Sequence, residues 1–422
     1  ESDMLYVNTT LYDYYSDYEL NGYNRDKYSR TDLSANKGNL HFIYQPFRQF
    51  DQALSSYYKQ YSASSPIYWG NFQNYNGSPY SDIEERLKLY GSDDWSKFIY
   101  DNNSMWGRNS TKYTNSNTSP AGELKNLGVE DGHNATQGLV SDTLSDNNLM
   151  IETTSGTVKA PYFDESFLTG NNSKNTVLGK VYKGVTFPFV KEKKTSKSDH
   201  DAKGTVEYWT FDSAKSTKNG NLELQQSEAD GYFLNPTKNA VYGQTADAGF
   251  PDTNGPGKSG RNYFPFNNTD QSGKAATLNY GFGQKFDLKF RLTSDGTVTT
   301  SENEKVPIEF DFSGDDDVWV FIDGKLVLDV GGGHGKVSGK INFKDKKATV
   351  SSVKKNDASS GGITQNVVNS FENVKEITDD YFNKEHTLTM FYMERGLWES
   401  NMKITFNFPD ENEFQVEKNV DT

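Results

Sequence analysis

The 422-residue chain carries 58 acidic against 44 basic residues, a formal net charge of −14, with 33% apolar residues and no cysteine. The acidic balance disfavours nucleic-acid or anionic-membrane binding, which needs clustered Lys and Arg, and it suits cation binding. The missing thiols exclude cysteine nucleophiles, disulfides and thiolate-bound zinc. With 26 Tyr and 27 Phe the chain can still build an aromatic core under a polar Asn/Ser/Thr/Gly skin, as extracellular β proteins do and aromatic-poor disordered chains do not. An exported eukaryotic protein of this size usually carries disulfides, so a bacterial, Gram-positive surface is expected. No apolar run approaches the roughly 20 residues of a bilayer span, and the ends at Glu1 and Thr422 are expected to belong to a piece of a longer protein.

In chain order, Leu5 and Val7 predict a short strand before a Tyr/Asp run without a clean period. Phe50, Leu54, Tyr57, Tyr58 and Tyr61 share helical spacing behind Asp51, Ser81 to Glu84 is a capping box for a helix ending at Gly91, and 93–106 predicts a third short helix. Residues 107–137 read as a long surface loop, with Asn8 and Asn134 opening Asn-x-Ser/Thr sequons. From Leu139 the character turns to β. Strands are predicted at 149–153, 177–190 and 205–211, with a charged, insertion-tolerant loop at 191–203 and a Pro/Gly loop at 247–260. The clearest half-buried strand is 285–292, where Phe286, Leu288, Phe290 and Leu292 alternate with charged residues. Residues 344–362 read as polar, 371–377 as a short helix, and 388–393 and 403–408 as closing strands.

The stretch 307–343 organises the rest. Ile308, Phe310 and Phe312 alternate with Glu309 and Asp311 as in a half-buried strand, Ser313-Gly314 stops it, and Asp315, Asp316 and Asp317 follow at what reads as a loop rim. Val318 to Ile322 is apolar throughout, as in a strand covered on both faces, and Asp323-Gly324 is a type I′ hairpin signal before the partner strand 325–330. Carboxylates crowded at such a rim need a cation, N–H donors or a proton to compensate them. Two readings stay open: the triplet holds a metal, or it caps backbone N–H groups and pairs with Arg395 of the distal Glu394-Arg395.

Other motifs fail on counting. Val330 to Val337, with its four glycines and His334, lacks the first Gly and the Ser/Thr of a phosphate loop, and a dinucleotide motif meets Ser338 where it needs Gly. Asp32 to Gly38 misplaces the glycine of an EF-hand. His41, His133, His200, His334 and His386 show no metalloprotease spacing, and no catalytic set emerges, so a non-enzymatic protein is expected.

GDDDVWVFIDGKLVLDVGG-x-H at 314–334, with MERGLWESNMKITFNF at 393–408, resembles the fibro-slime domain, a relative of the PA14 β-sandwich found in bacterial surface proteins and secreted slime-mould proteins. FPFN at 264–267 and YGFGQKFDLKF at 280–290 fit as well, so the resemblance covers about residues 200–410. It implies an all-β PA14-like sandwich or jelly roll, with residues 1–200 supplying strands plus an inserted, partly helical N-terminal lobe, 201–410 the core, and 411–422 a linker into a following stalk domain. Phe414 to Val420 resembles the opening strand of small Ig-like pilin and adhesin stalk domains, where a Lys at the position of Lys418 forms an isopeptide bond.

In lectin-type PA14 domains two adjacent cis-linked aspartates bind calcium, which ligates sugar hydroxyls. The resemblance places that pair at Asp315 and Asp316, with Asn401 completing the Ca2+ ligands from the loop 395–401. Asp317, His334, Arg395 and Trp398 become ligand-binding candidates, Trp398 as a stacking platform. Asp317 departs from the pattern, standing where a small residue often follows the pair. The expected function is a calcium-dependent adhesin head for a host or environmental glycan, or for an extracellular protein, tethered at the cell surface. Its alternatives are a structural or matrix module and, less favoured, a carbohydrate-active enzyme.

Overall fold

The structure is a computed structural model. It describes residues 4–14, 118–119, 122–123, 125–127, 135–137, 140–153, 156–160, 163–171, 179–213, 220–227, 231–238, 263, 265–266, 268–269, 275–277, 282–314, 317–331, 337–353, 363–366, 382–394 and 402–409. The helices expected at 50–61, 81–91, 93–106 and 371–377, the loop 247–260 and Lys418 lie outside the described residues.

Fourteen strands form one continuous sheet. They are β1 (Met4–Tyr14), β2 (Gly179–Lys194), β3 (Val206–Asp212), β4 (Gly220–Ser227), β5 (Gly231–Lys238), β6 (Phe282–Arg291), β7 (Glu309–Gly314), β8 (Asp317–Ile322), β9 (Lys325–Val330), β10 (Val337–Asn342), β11 (Lys347–Val353), β12 (Ile363–Asn366), β13 (Glu385–Glu394) and β14 (Met402–Phe406). Their order is β9-β8-β13-β6-β1-β2-β3-β14-β7-β10-β11-β12, with the β4-β5 hairpin attached to β2. Pairing is antiparallel except for the parallel contact of Phe233 in β5 with Thr186 in β2. The predicted all-β class therefore holds.

The 16-residue β2 folds this sheet into two layers. Residues 179–190 pair with β1, whereas 190–194 pair with β3. One layer is β9-β8-β13-β6-β1 with the start of β2; the other is the end of β2 with β3-β14-β7-β10-β11-β12. Aromatic rings fill the space between them. Phe290 in β6 stacks on Phe408 at 4.2 Å between centroids and meets Phe343 at 5.3 Å, while Phe189 in β2 meets Phe406 in β14 edge-on at 5.2 Å. Gly339 in β10 lies so near Leu328 in β9 that a Cβ there would come within 3.2 Å of its Cδ1. Offset and edge-on rings at such distances are the favoured aromatic geometry.

Three details depart from the sequence-based expectations. The first strand runs on through the Tyr/Asp tract to Tyr14, because Tyr12 and Tyr14, on the face away from the core, are buried by a covering segment. Residues 347–353, expected to be polar connection, form β11, with Ala348 and Val350 buried. Within 118–137, short ribbons pair Thr118–Ser119 with Gly122–Glu123 and Lys125–Leu127 with Ala135–Gln137.

The covering segment spans residues 140–171. Val140, Leu149, Ala160, Phe163, Phe167 and Leu168 are buried. Within it the α-helix α1 (Glu165–Thr169) is capped by Asp164, whose Oδ1 accepts from the Ser166 N–H at 3.0 Å. Leu144 N donates to the Gly324 carbonyl at 2.9 Å and Leu326 N to the Asp142 carbonyl at 2.8 Å. The edge strand β9 is thereby covered, which removes a site for edge-to-edge aggregation.

Candidate functional site

The central hairpin is the one expected. Asp323 and Gly324 have φ of 49° and 77°, the two positive values a type I′ turn requires. Asp323 fastens the turn to β13: its Oδ1 accepts from Thr387 N at 2.9 Å and its Oδ2 lies 2.5 Å from Nδ1 of the buried His386. All six residues of β8 are buried, and for the five of the apolar run 318–322 this is as predicted.

At the opposite end of β8 the register gathers six strand ends. Gly314, the last residue of β7, pairs with Met402, the first of β14, and with Val337, the first of β10. Asp317, the first of β8, pairs with Met393 near the end of β13, and Val318 pairs with Val330, the last of β9. Three segments, each joining in sequence a strand of one layer to a strand of the other, are therefore flanked by neighbouring strand ends: 315–316, 332–336 and 395–401. In sequence these hold Asp315 and Asp316, then His334, then Arg395, Trp398 and Asn401, all of which lie outside the described residues. Only Asp317 of the candidate set is described. Expected at the rim, it is instead wholly buried as the first rung of β8, because pairing with β13 draws it under the sheet end. Glu394 is equally buried and accepts from the Tyr392 hydroxyl at 3.3 Å. Among the described residues no group of three or more His, Asp or Glu is arranged to hold a metal.

The outer face of β7 holds a polar cluster that the sequence concealed. Glu309 and Asp311 alternate with core phenylalanines, and that pattern predicts a solvent-facing pair; Glu309 is fully buried. Residues 195–205 fold over it, so the loop expected to be charged and tolerant is fixed. The Tyr208 hydroxyl donates to Glu309 Oε1 at 2.6 Å, Lys197 N donates to the same oxygen at 3.2 Å, and the Ser198 hydroxyl bonds Oε2. Lys340 Nζ lies 3.2 Å from Oε2, and Lys197 Nζ lies 3.5 Å from Asp311 Oδ2. Burial pushes the Asp311 carboxyl up to about 6, Lys197 working against it and Glu309 with it. Burial, reinforced by Glu309, raises the Tyr208 hydroxyl well above its ordinary value. The signal that could have revealed the cluster is Lys340, which the register sets directly across from Asp311.

The outer face of the other layer carries a groove of about 430 Å³. Its floor is made by outward residues of four adjacent strands. Thr10 in β1 faces Lys285 in β6, which faces Phe391 in β13, and Asp287 faces Thr389 one repeat along. The wall is the turn at Asp146 and Asn147, both left-handed with φ of 48° and 60°, a conformation that Asp and Asn tolerate best among non-glycine residues. That turn points the Asn147 carbonyl at Lys285 Nζ, 2.7 Å away, while its amide reaches Asp287 Oδ2 at 3.4 Å. Lys285 Nζ also stands 5.4 Å from the centre of the Phe391 ring, and burial lowers its pKa.

No protein-family model matches the chain. Among curated proteins it is similar to three from the slime mould Dictyostelium discoideum. It is 29% identical to protein psiP over 201 residues, 46% of this chain and 20% of that one. It is 37% identical to protein psiB over 82 residues, 19% of this chain and 14% of psiB, and 42% identical to protein psiO over 67 residues, 16% and 8%. The chain thus spans a fifth or less of the length of these relatives. Among solved structures, a PA14 sugar-binding domain from an RTX adhesin overlaps 30% of this chain and 45% of its own, at 11% identity and a TM-score of 0.15. A GH31 α-xylosidase from Xanthomonas citri overlaps 71% and 35%, at 9% identity and a TM-score of 0.17.

Proposed function

We propose that this chain is a non-catalytic, extracellular carbohydrate-binding module of the adhesin kind, in which Asp315, Asp316 and Asn401 hold a calcium ion and Arg395, Trp398 and His334 border the ligand. The observation that carries the reading is the register at the end of β8: the segments holding these six residues are flanked by mutually paired strand ends, although up to 86 positions (401 − 315) separate them in sequence. Every donor in the metal set is a carboxylate or amide oxygen, which fits a hard divalent cation. Bound calcium would bridge the carboxylates to sugar hydroxyls. Asp317, being buried, is assigned to the support of this end and not to the ligand. Tethering to further stalk domains on a Gram-positive surface is part of the proposal, on the strength of the composition and of the 414–420 resemblance.

The test is a glycan array probed in calcium and again in EDTA. Binding in calcium that disappears in EDTA and in Asp316→Asn is the expected result. Calcium should raise the melting temperature of the wild type and leave that of the variant unmoved, because only a ligand bound to the folded state stabilises it. Binding indifferent to both changes would sink the calcium site, and turnover of chromogenic glycosides would replace the non-catalytic reading.

A further inference from the structure

The groove on the outer face of β2, β1, β6 and β13 lies on a side of the sandwich, not at the end where the acidic segments are flanked, and it continues past its own wall. In β1 the side chains at 6, 8, 10 and 12 share the outward face, since alternate residues of a strand point the same way at about 7 Å per pair. Tyr12 is buried beneath Phe163, whose ring stands edge-on at 5.2 Å, whereas Asn8 and Thr10 line the open groove and Tyr6 beyond them is 62% exposed. Val190 is the other large apolar side chain that stands exposed among the described residues. An exposed tyrosine in line with an amide, a hydroxyl and a cavity of about 430 Å³ is an arrangement of ring face and hydrogen-bonding edge. The volume lies within the range of small-ligand sites.

The charged groups that line this groove, Asp164, Glu165, Lys183, Lys285 and Asp287, all have partners within the protein, Asp164 accepting from Ser166 as the cap of α1. Lys285 donates to the Asn147 carbonyl, Lys183 is ion-paired with Glu165, and Asp287 accepts from Thr389 at 2.5 Å as well as from Asn147. Little net charge remains to attract an anion or a cation, while hydroxyl and amide groups and an aromatic face remain to meet a ligand. We infer that this groove is a second, metal-independent site for a neutral oligosaccharide, with Tyr6 as the stacking platform and Asn8, Thr10 and Asp287 as hydrogen-bonding partners of its hydroxyls.

The proposal is independent of the calcium site and is tested in EDTA. The protein is produced without N-glycosylation, because Asn8 opens an Asn-Thr-Thr sequon. It is applied to a printed panel of neutral hexose and N-acetylhexosamine oligosaccharides with sialylated and sulfated counterparts. At least one neutral oligosaccharide should bind in EDTA, and Tyr6→Ala and Asn8→Trp, one removing the platform and the other filling the groove, should each weaken it at least tenfold. Melting curves establish that each variant is folded; should Asn8→Trp fail to fold, Thr10→Ala takes its place with the same expectation. No neutral ligand in EDTA, a preference confined to the acidic counterparts, or a folded variant with undiminished affinity overturns the inference.

Discussion

The outer faces of the two layers are both covered by chain from elsewhere, and they are covered in opposite ways. On the β7 face, residues 195–205 are held by a buried carboxylate that collects a phenol, a backbone N–H, a hydroxyl and an ammonium, so the cover closes on the sheet. On the β1 face, residues 140–171 are held by buried apolar side chains such as Phe163, Phe167 and Leu168 near the strand ends, with hydrogen bonds of Asp142, Leu144 and Asn147 only at the margins, and a groove stays open beside Lys285. A polar anchor is directional and works only when every partner is within reach, whereas apolar anchoring scales with area and leaves its margins free. The face sealed by hydrogen bonds is thus the structural one, and the face covered by packing keeps room for a ligand.

The contrast is broken most severely at Glu309. Glu309→Ala strands Tyr208, Lys197 N and Lys340 around an empty acceptor, and it should cost about 3–5 kcal/mol in urea unfolding. Amide exchange should accelerate across 195–205 and stay unchanged at 163–171; a uniform acceleration would contradict the division of the two covers. The next effect is a pH dependence. Since the folded Asp311 carboxyl titrates near 6, above its unfolded value, the folded state holds the proton more tightly. The stability it contributes is fully present below the unfolded pKa and is lost as pH rises through about 6. Relative to Asp311→Asn, the wild type should lose on the order of 3 kcal/mol between pH 3.5 and 7. Parallel stability curves for the two proteins would show that Asp311 is not the titrating group.

Smaller changes sharpen the packing-held face. Asp164→Ala removes the cap of α1 and should cost about 1 kcal/mol, with faster exchange at Ser166 as the local readout. Lys183→Ala breaks an ion pair whose partners are 65% and 48% exposed. It should change stability by less than about 1 kcal/mol, and high salt should erase the difference. A larger loss in either variant would mean that α1 is held on the sheet by charge and not by packing.

Much of the architecture was readable from periodicity. The strict alternation at 285–292 predicted β6 with the correct side inward, the apolar run 318–322 predicted a strand buried on both faces, and Asp323-Gly324 predicted the turn that joins it to β9. Alternation reports which face meets the core, however, and not whether the other face is covered. Glu309 and Asp311 therefore looked solvated, and the Lys-rich tract 191–203 looked free. Buried polar partners more than 100 positions apart leave no local trace. Asp317 shows the same limit at closer range, since a third consecutive aspartate looks like part of a loop until its pairing with Met393 is known.

The candidate site divides in the same manner. The residue types, Asp315, Asp316 and a distal Asn401 near Trp398, came from the chain and its fibro-slime resemblance. The strand register added that the segments holding them, with the one holding His334, are flanked at a single end. By itself the sequence determined the all-β class and the central hairpin, and it suggested the oxygen-rich donor set proposed above, because side-chain chemistry and a two-residue period are local properties. Only the tertiary structure decided that Asp317 is buried, that Glu309 anchors Ser198 and Lys197, 111 and 112 positions upstream, and that four strands share a groove, because each depends on which strands lie side by side, and that is settled by the packing of two layers over a common aromatic core.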